Sequence, residues 1–133
     1  MATFHVELVS PEKLLFAGQA ESATVPSVDG EMTVLAHHAP VMAVLKPGVV
    51  SIIDANQGTR RLFVRGGFAD INPTGLTILA EFALPVEEID AASLDIQIRD
   101  AEEDYRDAKD FAEKQAASDK LVQLRDMRAA AVR

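Results

Sequence analysis

Beyond Pro85 the chain contains neither glycine nor proline. Those residues punctuate turns, so their absence excludes a turn-rich architecture over residues 86–133. With Ala, Leu, Glu, Asp, Lys and Arg abundant there, it predicts helix. No cysteine occurs among the 133 residues. This excludes disulfides, thiolate metal sites and cysteine nucleophiles, and suits a reducing compartment. Lys and Arg number 13 against 21 Asp and Glu, a net charge of −8. That balance argues against a nucleic-acid partner, because a phosphate backbone needs a basic surface. No apolar run reaches the ~18 residues of a membrane span, so no direct membrane insertion is expected. The opening Met1-Ala2-Thr3-Phe4-His5-Val6-Glu7 lacks a basic stretch followed by an apolar one, so no signal peptide is expected. The expectation is a soluble acidic protein, and 48% hydrophobic residues make it globular rather than disordered.

Up to Pro85, Gly or Pro recurs between short runs of Val, Ile, Leu, Phe and Thr, the pattern of an antiparallel β unit. Phe4, Val6 and Leu8 alternate with polar neighbours as on a half-buried strand. Further strands are predicted at Leu14–Phe16, ending before Gly18, at Ala20–Val25, Met32–Leu35, Val41–Leu45, Gly48–Asp54, Thr59–Arg65, Gly67–Ile71 and Gly75–Ala80. Breaks fall at Ser10-Pro11-Glu12, Pro26–Gly30, Ala39-Pro40, Lys46-Pro47-Gly48, Asn56-Gln57-Gly58, Gly66-Gly67 and Asn72–Gly75. Such spacing suggests a sandwich or flattened barrel. Most of Val41–Leu45 and Val49–Ile53 is apolar on both faces, whereas a free antiparallel sheet shows a polar outer face. Either these strands are packed on both sides within the fold, or a helical appendage or a partner covers them.

After Pro85 the period changes. Leu94, Ile98, Ala101, Tyr105 and Ala108 form one helical stripe, and Ala117, Leu121, Leu124, Met127 and Ala131 a second. Asp90 is the expected N-cap, with Ile89 and Leu94 as its hydrophobic staple. Asp95/Arg99, Glu102/Arg106 and Asp110/Lys114 are spaced as i,i+4 ion pairs, each worth ~0.3 kcal/mol. The two stripes are out of phase across Ala108–Ala117, so a hairpin turning there would bury both. No Gly or Pro enforces the turn, and local propensity also accepts one continuous helix of ~60 Å.

Candidate chemistry is sparse. His37 and His38 are adjacent, so on a strand they point to opposite faces and cannot share a metal. His5 reads as an exposed strand histidine. Asp29, Glu31, Asp54 and Asp70 are carboxylates in separate turns rather than a catalytic pair. Gly66-Gly67 lacks the Lys-Ser/Thr of a phosphate loop and reads as a sheet bend. The serines have no nucleophile-elbow context. No catalytic and no metal residue is assigned, and the chain is not expected to be an enzyme.

Val28-Asp29-Gly30-Glu31-Met32-Thr33-Val34-Leu35-Ala36-His37-His38-Ala39-Pro40, followed by Leu45-Lys46-Pro47-Gly48-Val49-Val50, closely resembles the epsilon subunit of F-type ATP synthases. Phe4–Pro11 and Val64-Arg65-Gly66-Gly67-Phe68 match too, and the likeness covers essentially the whole chain. The resemblance implies a β-then-α fold: a ten-stranded β-sandwich over residues 1–87 for partner binding, then an antiparallel two-helix hairpin over 88–133 with a regulatory role. It implies a non-catalytic central-stalk rotor subunit on the cytoplasmic face of the energy-transducing inner membrane, peripheral to it. There the subunit would couple proton flow through the c-ring to ATP synthesis in the catalytic head. The implied partners are the gamma subunit, the c-ring loops and, through the C-terminal helices, the alpha/beta head, where those helices would inhibit hydrolysis. By motif match, Gly30 and Glu31 would face the c-ring, and His38, Ala39 and Pro40 the gamma subunit. Some members bind ATP through an Ile/Leu-Asp-x-x-Arg-Ala motif. Here Ile89-Asp90-Ala91-Ala92-Ser93-Leu94 keeps Asp90 but has Ser93 for the Arg, so weak or no ATP binding is expected and no cofactor. The rival reading is a stand-alone β-sandwich ligand-binding module with a helical dimerisation tail.

Overall fold

The computed structural model describes residues 2–56 and 58–131. Gln57 of the expected Asn56–Gly58 break, and residues 132–133 of the expected helical domain, lie outside them. The chain divides into two compact units, Met1–Val86 and Glu87–Arg133.

The first unit contains nine strands among the described residues. They are β1 (Phe4–Val9), β2 (Leu14–Ser27), β3 (Gly30–Val34), β4 (Val41–Leu45), β5 (Gly48–Asp54), β6 (Thr59–Val64), β7 (Gly67–Asn72), β8 (Gly75–Ala80) and β9 (Ala83–Pro85). All are hydrogen-bonded in the order β1-β8-β7-β4-β2-β5-β6-β9, with β3 beside β2, and β1 also pairs with β2. Every pairing is antiparallel except β1 with β8. The strand β2 is what folds this ladder over itself. Its first half pairs with β1, and from Ala20 onward it pairs with β5 and β3. A register shift between Ala20 and Ser22 against β5 marks a bulge, the device that bends a strand from one layer toward the other.

Among the described residues nine strands stand where the resemblance implied ten, and two of the expected segments are one strand. Gly18 does not end a strand; it pairs with Val6 inside a continuous β2. A Cβ there would meet the Phe16 ring at 3.7 Å, an ordinary van der Waals contact, so neither space nor backbone conformation demands a break at this glycine. The short β9 escapes sequence reading because Pro85 cannot donate to a ladder. Alternation holds along β1, β4, β5, β7 and β8, whereas Leu62, Phe63 and Val64 of β6 are all buried. Val6, Leu8, Val25, Val50, Ile52, Leu62, Ile71, Leu76 and Ile78 are buried together in one core, each contributing on the order of 1.5–3 kcal/mol relative to exposure.

The second unit follows a single 3-10 turn at Val86–Glu88 and consists of α1 (Ala91–Asp107) and α2 (Phe111–Ala131). Asp90 caps α1 as expected, its Oδ1 accepting from the Ser93 amide at 3.1 Å. Leu94, Ala101, Leu121 and Leu124 form the buried seam, with Ile89, Ile98 and Met127 packed against it. Two stripe residues differ from expectation. Tyr105 is exposed, and Ala130 rather than Ala131 is buried. The expected i,i+4 ion pairs also give way. Glu102 and Asp95 reach across the hairpin to Arg125 and Arg128, both at 2.8 Å.

Candidate partner-binding surfaces

The turn that carries Glu31 is built from below. Ser27 and Gly30 pair across it, leaving Val28 and Asp29 as the two-residue connection. The Ser27 hydroxyl, 2% exposed, donates to the Gly30 carbonyl at 2.7 Å and accepts from the Asp29 amide at 3.1 Å. Gly30 has φ 119° with open space around its absent Cβ, a backbone state that glycine alone adopts readily. The Val28 amide donates to the Val44 carbonyl, and the Lys46 amide to the Pro26 carbonyl, both at 2.9 Å. These bonds stitch the turn to the end of β4. Val28, Asp29 and Glu31 are exposed on this fixed tip.

His38, Ala39 and Pro40 lie in the loop before β4. His37 holds φ 65°, uncommon for a non-glycine residue. The half-buried His38 donates from Nδ1 to the Ala39 carbonyl at 2.7 Å, while Ala39 and Pro40 are exposed. The five expected residues are not brought into one patch. Gly30 adjoins the Leu45 end of β4, because Ser27 pairs with both Gly30 and Leu45. Pro40 precedes the Val41 end, so the two groups are separated by the length of β4, ~13 Å.

Between them runs a surface that the sequence reading caught only in part. Val44 pairs with Phe68, and Phe68 with Leu79, so the three form a row across β4, β7 and β8. They are 47%, 49% and 52% exposed. Leu79 is in turn paired with Val9, and Met42 flanks Val44 on the same face, also exposed. A shallow depression bounded by Val9, Pro11, Phe68, Leu79 and Glu81 continues the row. The two-sided apolar character of β4 was legible along the chain. That Phe68 and Leu79 extend it was not, because the pairing joins residues distant in sequence.

The remaining candidates stay apart. Asp54 Oδ1 accepts from the Asn56 and Gly58 amides at 2.9 and 3.0 Å, a turn-making role. Asp70 lies on β7, away from the turn that holds Asp29 and Glu31. His5 is exposed with Nε2 2.9 Å from a Glu7 carboxylate oxygen. Among the described residues no group of three or more His, Asp or Glu side chains is placed to hold a metal. Asp90 is engaged as helix cap, and the Ser93 hydroxyl accepts from Gln97 Nε2 at 3.2 Å.

Comparison with known proteins converges on one family. Residues 3–86 match the family model described as ATP synthase, Delta/Epsilon chain, beta-sandwich domain. The chain is 52% identical to the ATP synthase epsilon chain of Mesorhizobium japonicum over 91% of this chain and 90% of that one. It is 45% identical to the ATP synthase epsilon chain of Parvibaculum lavamentivorans over 92% of each. A chain in a structure of the Euglena gracilis mitochondrial ATP synthase, comprising OSCP, F1 and c-ring, superposes with a TM-score of 0.83 at 25% identity. It covers 98% of this chain and 82% of that one.

Proposed function

The chain belongs to the ATP synthase epsilon chain family, and on that premise we propose that it is a non-catalytic subunit of the central rotor, coupling proton flow through the c-ring to ATP synthesis. The β unit seats against the gamma subunit through the Val44-Phe68-Leu79 row, with His38, Ala39 and Pro40 as a second gamma contact. The Gly30–Glu31 tip faces the c-ring loops. The helical unit acts on the alpha/beta head and restrains ATP hydrolysis. The subunit is peripheral at the cytoplasmic face; no helix among the described residues is long and apolar enough to cross a membrane.

The observation that carries this reading is the exposed row. Three large apolar side chains in register, each about half exposed, leave apolar surface in water that a permanent partner would cover. A rigid tip bearing exposed Asp29 and Glu31 suits basic or polar loops at the opposite side of such a contact.

The test is co-purification with the gamma subunit, with mass determined by light scattering. A one-to-one complex is expected. Phe68→Asp should weaken it ~10- to 100-fold by burying a charge in an apolar contact, while leaving the thermal transition within a degree or two because the site is exposed in the free chain. Unchanged affinity would remove the row from the interface. Concentration-dependent dimers without any gamma complex would favour a self-associating binding module instead.

A further inference from the structure

Asp29-Gly30 is the only Asp-Gly pair in the sequence, and it lies where β2 turns into β3. Glycine shields its own amide nitrogen less than any other residue, because it has no Cβ. A Cβ on Gly30 would meet nothing within 4 Å, so there is room for a small ring to close beside that nitrogen. Asp29 is exposed. Other aspartates have their carboxylates occupied: Asp54 accepts from two amides, Asp90 and Asp110 from one each, and Asp95 pairs with Arg128. Among the described residues no hydrogen bond or ion pair holds the Asp29 carboxylate.

The main chain on either side of the Asp29–Gly30 bond is gripped by one buried group. The Ser27 hydroxyl accepts from the Asp29 amide at 3.1 Å and donates to the Gly30 carbonyl at 2.7 Å, local bonds of the kind short hydroxyl side chains make in turns. For the Gly30 nitrogen to reach the Asp29 side chain, the main chain must rotate about the Asp29 Cα–C bond. That rotation displaces the Gly30 carbonyl relative to the Asp29 amide, so it breaks the grip. Ser27 thus opposes the one motion that would bring the free carboxylate and the open nitrogen together.

We propose that Asp29 is a site of spontaneous isoaspartate formation and that the Ser27 hydroxyl sets its rate. The Gly30 amide nitrogen attacks Cγ of the protonated Asp29 carboxyl. An N–Cγ bond forms, the Cγ–OH bond breaks, and the hydroxyl leaves with the amide proton as water. Water then opens the cyclic imide. Opening at Cγ returns aspartate, whereas opening at the main-chain carbonyl carbon leaves Gly30 joined through Cγ, with a free α-carboxylate. No atom is gained or lost overall, and no oxidant or second reactant besides water is needed. The isomer places the Asp29 Cβ in the main chain and lengthens the connection by one bond. The Ser27–Gly30 and Pro26–Glu31 pairings then cannot both keep their register, so Glu31 is re-aimed. The chemistry belongs to the tip itself and stands whatever the tip docks against.

The full chain is incubated at physiological temperature. Isoaspartate is counted by labelling with an isoaspartyl methyltransferase and located by electron-transfer fragmentation of the derived peptides. Label should accumulate in the peptide that contains Asp29 rather than at the other aspartates. Ser27→Ala should raise the rate ~10-fold, as loss of two hydrogen bonds implies. Ser27→Thr keeps the hydroxyl and should stay near the unmodified rate. Unfolding the unmodified chain in urea should also raise the rate at least ~10-fold, a measurement that does not depend on any variant folding. Asp29→Glu would have to close a larger, slower-forming ring and should abolish label in that peptide. The proposal is overturned if the unfolded chain reacts at Asp29 no faster than the folded one, or if a folded Ser27→Ala chain reacts at the unmodified rate. Label that persists in Asp29→Glu overturns it as well.

Discussion

At the residue scale, two glycines show how conformation and space contribute separately. Gly67 begins β7 at φ 129°, and a Cβ there would lie 2.0 Å from the Leu79 carbonyl oxygen and 2.9 Å from the Ala80 Cα. Gly30 has a similar φ of 119° with nothing within 4 Å. Gly67→Ala therefore combines backbone strain with a collision against main chain that cannot move without breaking the β7–β8 ladder. Gly30→Ala carries the strain alone. Urea unfolding should show a loss of about 1–2 kcal/mol for Gly30→Ala and at least about 3 kcal/mol for Gly67→Ala. Equal losses would mean that the strand pair yields to the added methyl. Ser27 belongs at this scale too. A buried hydroxyl using both its donor and acceptor holds the tip that presents Glu31, a role invisible from a lone serine in a turn-rich segment.

At the element scale, the start of α1 bears on nucleotide binding. The expected motif position of Arg is Ser93, whose hydroxyl already accepts from Gln97, and Asp90 is engaged as cap. Glu87 and Glu88 precede it, both exposed. They oppose the attraction of a helix N-terminus for anions, up to about 1 kcal/mol. Arg125 and Arg128 could have compensated, but they pair with Glu102 and Asp95 across the hairpin. Calorimetric titration with MgATP should therefore give no isotherm, or one in the millimolar range or weaker, and Ser93→Arg should tighten it by restoring a planar charged fork. A one-to-one isotherm at micromolar concentration for the unmodified chain would overturn this. The helices also show that a missing glycine is not a missing turn signal. Asp110-x-x-Glu113 was present in the sequence, and Asp110 Oδ1, accepting from the Glu113 amide at 2.8 Å, does what glycine or proline would otherwise do.

At the scale of the whole molecule, the two compact units have separate apolar cores. A chain ending at Val86 keeps all nine strands and the whole sandwich core. It should give a β-type circular dichroism spectrum, unfold cooperatively and bind the gamma subunit. Failure to fold would show that the strands depend on the helices. Folding without binding would move the partner contact to the helical unit.

Strand alternation, the change of period after Pro85 and the Asp90 cap could all be read along the chain, because each depends on near neighbours and on the periods 2 and 3.6. The family resemblance was likewise carried by ordered local segments. Tertiary structure decided what depends on distant residues meeting. It joined Leu14–Phe16 and Ala20–Val25 into one strand through pairing with β1 and β5, and lined Val44, Phe68 and Leu79 into a row. It also turned Glu102 and Asp95 toward the second helix. A cross-strand register or an interhelical pair has no signature in either partner's own neighbourhood, since the geometry that favours it exists only once both elements are packed.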